Sequence, residues 1–271
     1  MKSSFARAVV AGWRAWCNSS TPWTSPTRSR PPARWPTQVN AVLFDAVGTL
    51  IEPHPSVAVA YAAAGRRFGS SLAEGEIQTR FLAAFRRREA IDAADTTGRA
   101  SEAAEQARWR TIVGEVFDDV AEPEALFAAL WQHFAEPKHW RLMAGAAEAW
   151  RRLGRQRRAD GRRLVLGVAS NFDSRLEALC GGLPPLAGCQ LFISSRLGHR
   201  KPKPAFFRAV EARLGLKPEQ LLLVGDDLAN DYHGALAAGW QAVLLDRDDR
   251  FKGTRRVRNL SELEVSGLSG L

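Results

Sequence analysis

Along the chain, short apolar runs that end abruptly in polar side chains alternate with stretches in which apolar residues recur every three or four positions. The runs at 41–44, 164–169, 190–194, 221–224 and 241–245 predict buried strands. Helices separate them: residues 145–155 lead into the second run, and Phe206, Phe207, Val210 and Leu214 line the inner face of a helix before the fourth. This alternation predicts an α/β fold, a doubly wound parallel sheet of at least five strands joined by right-handed crossovers.

One region breaks the alternation. Val57, Tyr61, Ala64 and Phe68 repeat at helical spacing, as do Ile77, Phe81 and Phe85, then Trp109, Ile112, Val113, Val116 and Phe117, then Leu126, Leu130 and Phe134. Links at 95–99 and at Glu122-Pro123 separate the helices, and no strand pattern intervenes. These aromatic residues are expected to form the core of a helical bundle. An inserted α-helical domain directly after the first strand is expected to lie over the ligand crevice as a cap, excluding water and selecting substrates. His54, between Pro53 and Pro55, marks the hinge and is expected to serve a turn. The resulting division is a tail at 1–38, a core at 39–54 and 139–271, and a cap at 55–138.

Chemistry gathers at the ends of the runs. Asp45 closes the first, and burying an unpaired carboxylate is costly, so an opposing charge is expected beside it. Open parallel sheets bind ligands at the carboxyl ends of their strands, which points Asp45 and the Thr49 hydroxyl into the crevice, with Gly48 relieving the turn. The second run ends in Ser170-Asn171-Phe172-Asp173, where hydroxyl and amide can donate to a phosphoryl oxygen and Asp173 can cap the next helix. Lys201 precedes Pro202, which stiffens its backbone. After the fourth run come Asp226, Asp227 and Asp231, acids that repel one another unless a cation sits among them. Oxygen ligands alone suit Mg²⁺, and the spacing lacks the glycine and terminal glutamate of a Ca²⁺ loop. Taken singly, each tip also fits a plainer role, such as a helix-capping acid at 45 or a solvated lysine at 201.

Composition refines this picture. The 271 residues allow one large domain or two smaller ones, and 45% apolar with 25% charged residues is ordinary for a soluble protein. No apolar run approaches the length of a bilayer span, so no membrane role is expected. Cys17, Cys180 and Cys189 have no metal spacing and leave one unpaired, which fits a reducing, cytoplasmic setting. Of the formal charge of +9, residues 1–40 carry +6 and no acid, leaving +3 for the rest. That tail mixes Ser, Thr, Pro, Arg and Trp without a period and is expected to be disordered or an over-long start. Arg7 and Arg14 bound its only apolar stretch, which argues against a secretory signal, while its composition allows an organelle-targeting peptide. A second basic run at 151–163 is expected to be a solvated face, and no nucleic-acid signature accompanies it.

Asp45 with Gly48-Thr49, then Ser170, then Lys201, then Asp226-Asp227 and Asp231, in that order, resemble the haloacid dehalogenase-like hydrolase superfamily. Phosphate-receiving response regulators use similar groups with the acidic pair first and are excluded by chain order. The resemblance spans residues 39–246. The wording from Ser170 to Glu177, with Glu136-Pro137-Lys138-His139-Trp140, resembles the branch containing the rhythmically expressed gene protein. It implies a Rossmann-like core, an Asp45 nucleophile that forms an aspartyl phosphate, Lys201 neutralising the transferring group, and Ser170, Asn171 and Thr49 around the phosphoryl oxygens. It implies Mg²⁺ held by Asp45, the Val47 backbone carbonyl and Asp226, with Asp227 and Asp231 as further ligands or as anchors for Lys201. The implied partner is a small phosphorylated or activated molecule, and the implied assembly a monomer or homodimer.

The family's phosphatases carry a proton-shuttling aspartate two residues after the nucleophile, and here Val47 stands there. Arg196 replaces a frequent acid, and Lys203 an aspartate between prolines; both are expected to add positive charge near the mouth. Three readings follow: a Mg²⁺-dependent phosphatase-type hydrolase, a catalytically weak member kept for binding or regulation, and a metal-independent haloacid dehalogenase.

Overall fold

The computed structural model describes residues 39–265 apart from Ala159, so the tail at 1–38 and Cys17 lie outside the described residues. Six parallel strands form one sheet, running from edge to edge as β5 (Gln190–Ile193), β4 (Val165–Ser170), β1 (Ala41–Phe44), β6 (Leu221–Gly225), β7 (Gln241–Leu245) and β8 (Arg256–Val257). Strand β1 is the switch point: the chain builds β4 and β5 on one side of it, then returns to build β6, β7 and β8 on the other. Diverging connections at such a point open a crevice at the carboxyl ends of β1, β4 and β6.

Between β1 and β4 the chain leaves the sheet through β2 (Ile51–Pro53) and returns through β3 (Trp140–Leu142), which pair antiparallel with Ile51 opposite Leu142. Periodicity does not reveal strands of three residues, so this ribbon was not legible in the sequence. Four helices lie between: α1 (Val57–Arg67), α2 (Glu74–Ala94), α3 (Glu102–Val116) and α4 (Pro123–His133). The Ser56 and Ser101 side chains accept from Val59 N and Ala104 N to cap α1 and α3, and Pro123 opens α4 where no amide donor is needed. Tyr61, Ile77, Phe81, Ile112, Val116 and Leu130 meet in a core belonging to these helices, with Tyr61 and Phe81 edge to face at 5.2 Å.

Helices α5 (Ala146–Gly154), α6 (Arg175–Gly182), α7 (Ser194–Leu197) and α8 (Pro204–Leu214) belong to the sheet. Its strands alternate as a period of two requires: Val42 and Phe44 pack with Trp150, Leu153 and Leu179 on one face, Ala41 and Leu43 with Phe206, Phe207 and Val210 on the other. Coverage on both faces confirms the doubly wound α/β architecture. In the basic run at 151–163, Arg152 donates to Ser261 O and Leu263 O, tying α5 to the last described turn. No helix of the described residues is long and apolar enough to cross a membrane.

Candidate active site

Asp45 stands immediately beyond β1, its amide donating to Val224 O at 2.8 Å. Opposite it is Lys201, 2% exposed, whose Nζ donates to Asp45 Oδ1 at 2.8 Å, Asp231 Oδ1 at 2.6 Å and Ala169 O at 2.7 Å. Three ammonium donors thus meet three acceptors, the condition for burying such a group. Burial alone would lower its pKa, but the charges and hydrogen bonds of Asp231 and Asp45 hold it above the ordinary lysine value. Asn171 sets the backbone that delivers this side chain: its Oδ1 accepts from Lys201 N at 2.8 Å and its Nδ2 donates to Lys201 O at 3.0 Å. The amide expected to meet a phosphoryl oxygen is therefore committed to the lysine main chain, and Asn171 is a positioning residue.

Asp226 follows β6 and receives a hydrogen bond from the fully buried Thr49 Oγ1 at 2.9 Å. Thr49 thus orients an acid. Burial, and next the charge of Asp45, push the Asp226 carboxyl up to about 6, against Arg247 and the Thr49 bond. Gly48 adopts φ +86°, and a Cβ there would collide with the Asp226 carboxylate. Glycine therefore serves both the turn and the close approach.

The remaining acids divide their roles. Asp227 caps the π-helical turn Leu228–His233, accepting from Ala229 N and Asn230 N at 2.8 Å and from Asn230 Nδ2 at 2.9 Å. Asp231, 2% exposed, carries Lys201 on one oxygen and accepts from Asp227 N at 3.2 Å on the other. One oxygen each of Asp45, Asp226 and Asp231 lie within 4.8 Å of one another; Asp227 is not in that group. Clustered acids that offer oxygen donors only suit a hard divalent cation.

A cavity of about 190 Å³ opens over these groups, between the sheet and the helical insert. Ser170 and Val47 line it, as do Tyr61, Phe85 and Trp109 of the insert and Phe172 of the core. Tyr61 and Phe85 belong at once to the bundle core and to the cavity wall. His54 is exposed and donates its amide to His139 O, as a turn residue does. Arg196 pairs with Glu177 at 3.4 Å on the surface, and neither it nor Lys203 lines the cavity.

Several charged residues around the cavity escaped sequence reasoning. Arg200, next to Lys201, pairs with Asp92 of α2; Arg108 of α3 pairs with Asp92 at 2.9 Å and with Glu89. Arg175 lies 3.4 Å from the Trp131 ring centroid and donates to both oxygens of Asp173. A signal for the first set existed, since Glu89 continues the Phe81, Phe85 register and Glu105 and Arg108 precede Trp109 and Ile112 by one turn. Charges in an apolar register are charges aimed inward.

The family model described as "Hydrolase: haloacid dehalogenase-like hydrolase" matches residues 39–239. Haloacid dehalogenase-like hydrolase domain-containing protein 3 of Danio rerio is 28% identical over 226 residues, covering 81% of this chain and 88% of its own. Rhythmically expressed gene 2 protein of Drosophila melanogaster is 26% identical over 216 residues, covering 75% and 82%. Among solved structures, the HAD-hydrolase YfnB from Bacillus subtilis bound to magnesium has a TM-score of 0.63 at 20% identity over 83% of this chain and 96% of its own. The L-2-haloacid dehalogenase from Xanthobacter autotrophicus with chloropropionic acid covalently bound has a TM-score of 0.58 at 18% identity, over 83% and 96%. At such identities these structures share the fold alone.

Proposed function

Since this chain belongs to the haloacid dehalogenase-like hydrolase family, we propose that it is a Mg²⁺-dependent hydrolase of phosphomonoesters, with Asp45 as nucleophile and the insert at 55–138 as a cap over the reaction. The observation that carries this reading is the pairing of Lys201 with Asp45 while a second acid, Asp226, adjoins the same carboxylate. A metal-independent dehalogenase has no use for Asp226, whose charge opposes both Asp45 and an incoming haloacid.

Lys201 holds Asp45 Oδ1, leaving Oδ2 to attack phosphorus in line as the ester P–O bond breaks. The aspartyl phosphate that results is cleaved by water, regenerating Asp45. Ser170 donates to a phosphoryl oxygen, and Lys201 offsets the charge of the transferring group. Asp45, Asp226 and the Val47 carbonyl would hold Mg²⁺, which supplies Lewis acidity and charge neutralisation when bound. Thr49 and Gly48 hold Asp226 in place, while Asn171 and Asp231 do the same for Lys201.

Incubation with an aryl phosphate of good leaving group, with and without Mg²⁺ and beside 2-chloropropionate, tests the reading. Metal-dependent phenolate release is expected; halide release without metal would overturn it.

Val47 leaves no side-chain proton for the departing alkoxide. Val47→Asp is accordingly expected to raise kcat/KM for unactivated alkyl phosphates by on the order of 10² to 10⁴ while changing activated aryl phosphates far less. Equal gains on both, or none, would mean that proton transfer to the leaving group does not limit the rate.

Metal binding should also register in stability. Because the folded Asp226 pKa stands near 6, above the unfolded value of about 4, metal-free protein loses stability as pH rises through that interval. Mg²⁺ relieves this loss only where Asp226 is ionised. Millimolar Mg²⁺ is expected to raise Tm at about pH 7.5 and to do little at about pH 5. Asp226→Asn should abolish the increment at both, and an increment of equal size at the two pH values counts against Asp226 as a ligand.

A further inference from the structure

Glu105 of α3 lines the cavity, is 6% exposed, and makes no hydrogen bond or ion pair with its side chain among the described residues. Its neighbours are already engaged: Arg108 is taken by Glu89 and Asp92, Arg200 by Asp92, and Arg175 by Asp173. One carboxylate is therefore left over, facing a chamber whose other walls include Tyr61, Phe85, Trp109, Phe134, Trp140 and Phe172.

Arg108 and Arg200 act on Glu105 only through space, being paired with Glu89 and Asp92, so its carboxylate keeps free acceptors at the cavity wall, where a hydrogen-bonded cation would offset the cost of its burial. Burial pushes the Glu105 carboxyl up, against the charges of Arg108 and Arg200, and a cation arriving in the chamber is what would draw it down again. Arg108 already faces Phe85 and Trp109, and Arg175 faces Phe172, so the wall rings that no arginine faces among the described residues are Tyr61, Phe134 and Trp140, and an ammonium is attracted to such faces. The reacting end of the substrate is fixed at Asp45 on the core side, so a group meeting Glu105 on the insert belongs to the leaving group.

We propose that Glu105 is a specificity-determining residue that receives a protonated amine on the leaving group, making the substrate class phosphomonoesters of aromatic or bulky apolar alcohols that carry an ammonium. The inference rests on the phosphatase reading above for the position of the phosphoryl end. Negative charge on the leaving group is disfavoured for the same reason that the amine is favoured.

The experiment compares 4-(aminomethyl)phenyl phosphate, 4-methylphenyl phosphate and 4-carboxyphenyl phosphate with Mg²⁺ in the wild type, Glu105→Gln and Glu105→Leu. A charge-assisted hydrogen bond predicts a wild-type preference of about tenfold to a hundredfold in kcat/KM for the aminomethyl over the methyl compound, and discrimination against the carboxylate. Both variants should bring the aminomethyl-to-methyl ratio to within a few-fold of unity. A ratio near unity in the wild type, or one unchanged in a folded variant, overturns the proposal. Calorimetric titration with benzylammonium and benzyl alcohol separates this from failure of the phosphatase reading. If none of the phosphates is hydrolysed, the phosphatase reading falls. Tighter benzylammonium binding that both variants lose would then keep Glu105 as a cation-recognising residue, whereas binding no tighter than that of benzyl alcohol rejects it. Should either variant fold poorly, the wild-type comparison among the three phosphates decides alone.

Discussion

Asp45→Asn is expected to lower phosphomonoester turnover by on the order of 10⁴-fold or more with the fold intact. The amide matches the carboxylate in shape, and Lys201 keeps Asp231 Oδ1 and Ala169 O as acceptors, so little packing or polar satisfaction is lost. What disappears is the proposed nucleophile, because an amide oxygen does not form the acyl phosphate bond. Acid quenching of the wild type during turnover of a phosphate-labelled substrate should trap label on the protein, and the variant should trap none. Turnover within about tenfold of wild type would place the nucleophile elsewhere, since general acid–base and binding effects alone do not survive its loss at that level. Asp226 supplies a second readout in the same variant. With Asp45 uncharged, its carboxyl loses a repelling neighbour, so the pH interval over which the metal-free protein loses stability should move downward.

Lys201→Met should cost about 3–5 kcal/mol of stability, because it strands the Asp231 carboxylate in the interior. The loss differs in kind from that of a surface ion pair: the lysine side chain is 1% exposed and that of Asp231 2%, so water does not replace the missing ammonium. Denaturant unfolding measures it. In Lys201→Met/Asp231→Asn the stranded charge is gone, and most of the stability should return while activity does not, since Asp45 still lacks its partner. A double variant no more stable than Lys201→Met would show that the cost arises from packing around the methionine and not from the orphaned acid. That outcome would separate stability from the proposed catalytic role at this residue, although one ammonium would serve both.

The positions of β1, β4, β6 and β7, the acid at 45 and the acids after 225 were legible because each depends on neighbours close in sequence: an apolar run, then a polar tip. Asn171 and Asp227 were assigned by type and not by direction, and direction is set by a single turn. One amide faced a lysine backbone 30 positions away, and one carboxylate closed a helical turn on itself. The register of Glu105 signalled that it points inward, but that it is left over, like the Arg200–Asp92 pair, was not legible, because both arise where α2 and α3 of the insert meet the loop before Lys201. By itself, then, the sequence determined the α/β frame, the order of chemical groups along it and the family to which they point. Tertiary structure alone decided which acid faces the crevice, which one binds the lysine and which carboxylate is left without a partner. The physical reason is that a buried charge is defined by what surrounds it, and those surroundings come from segments far apart in the chain.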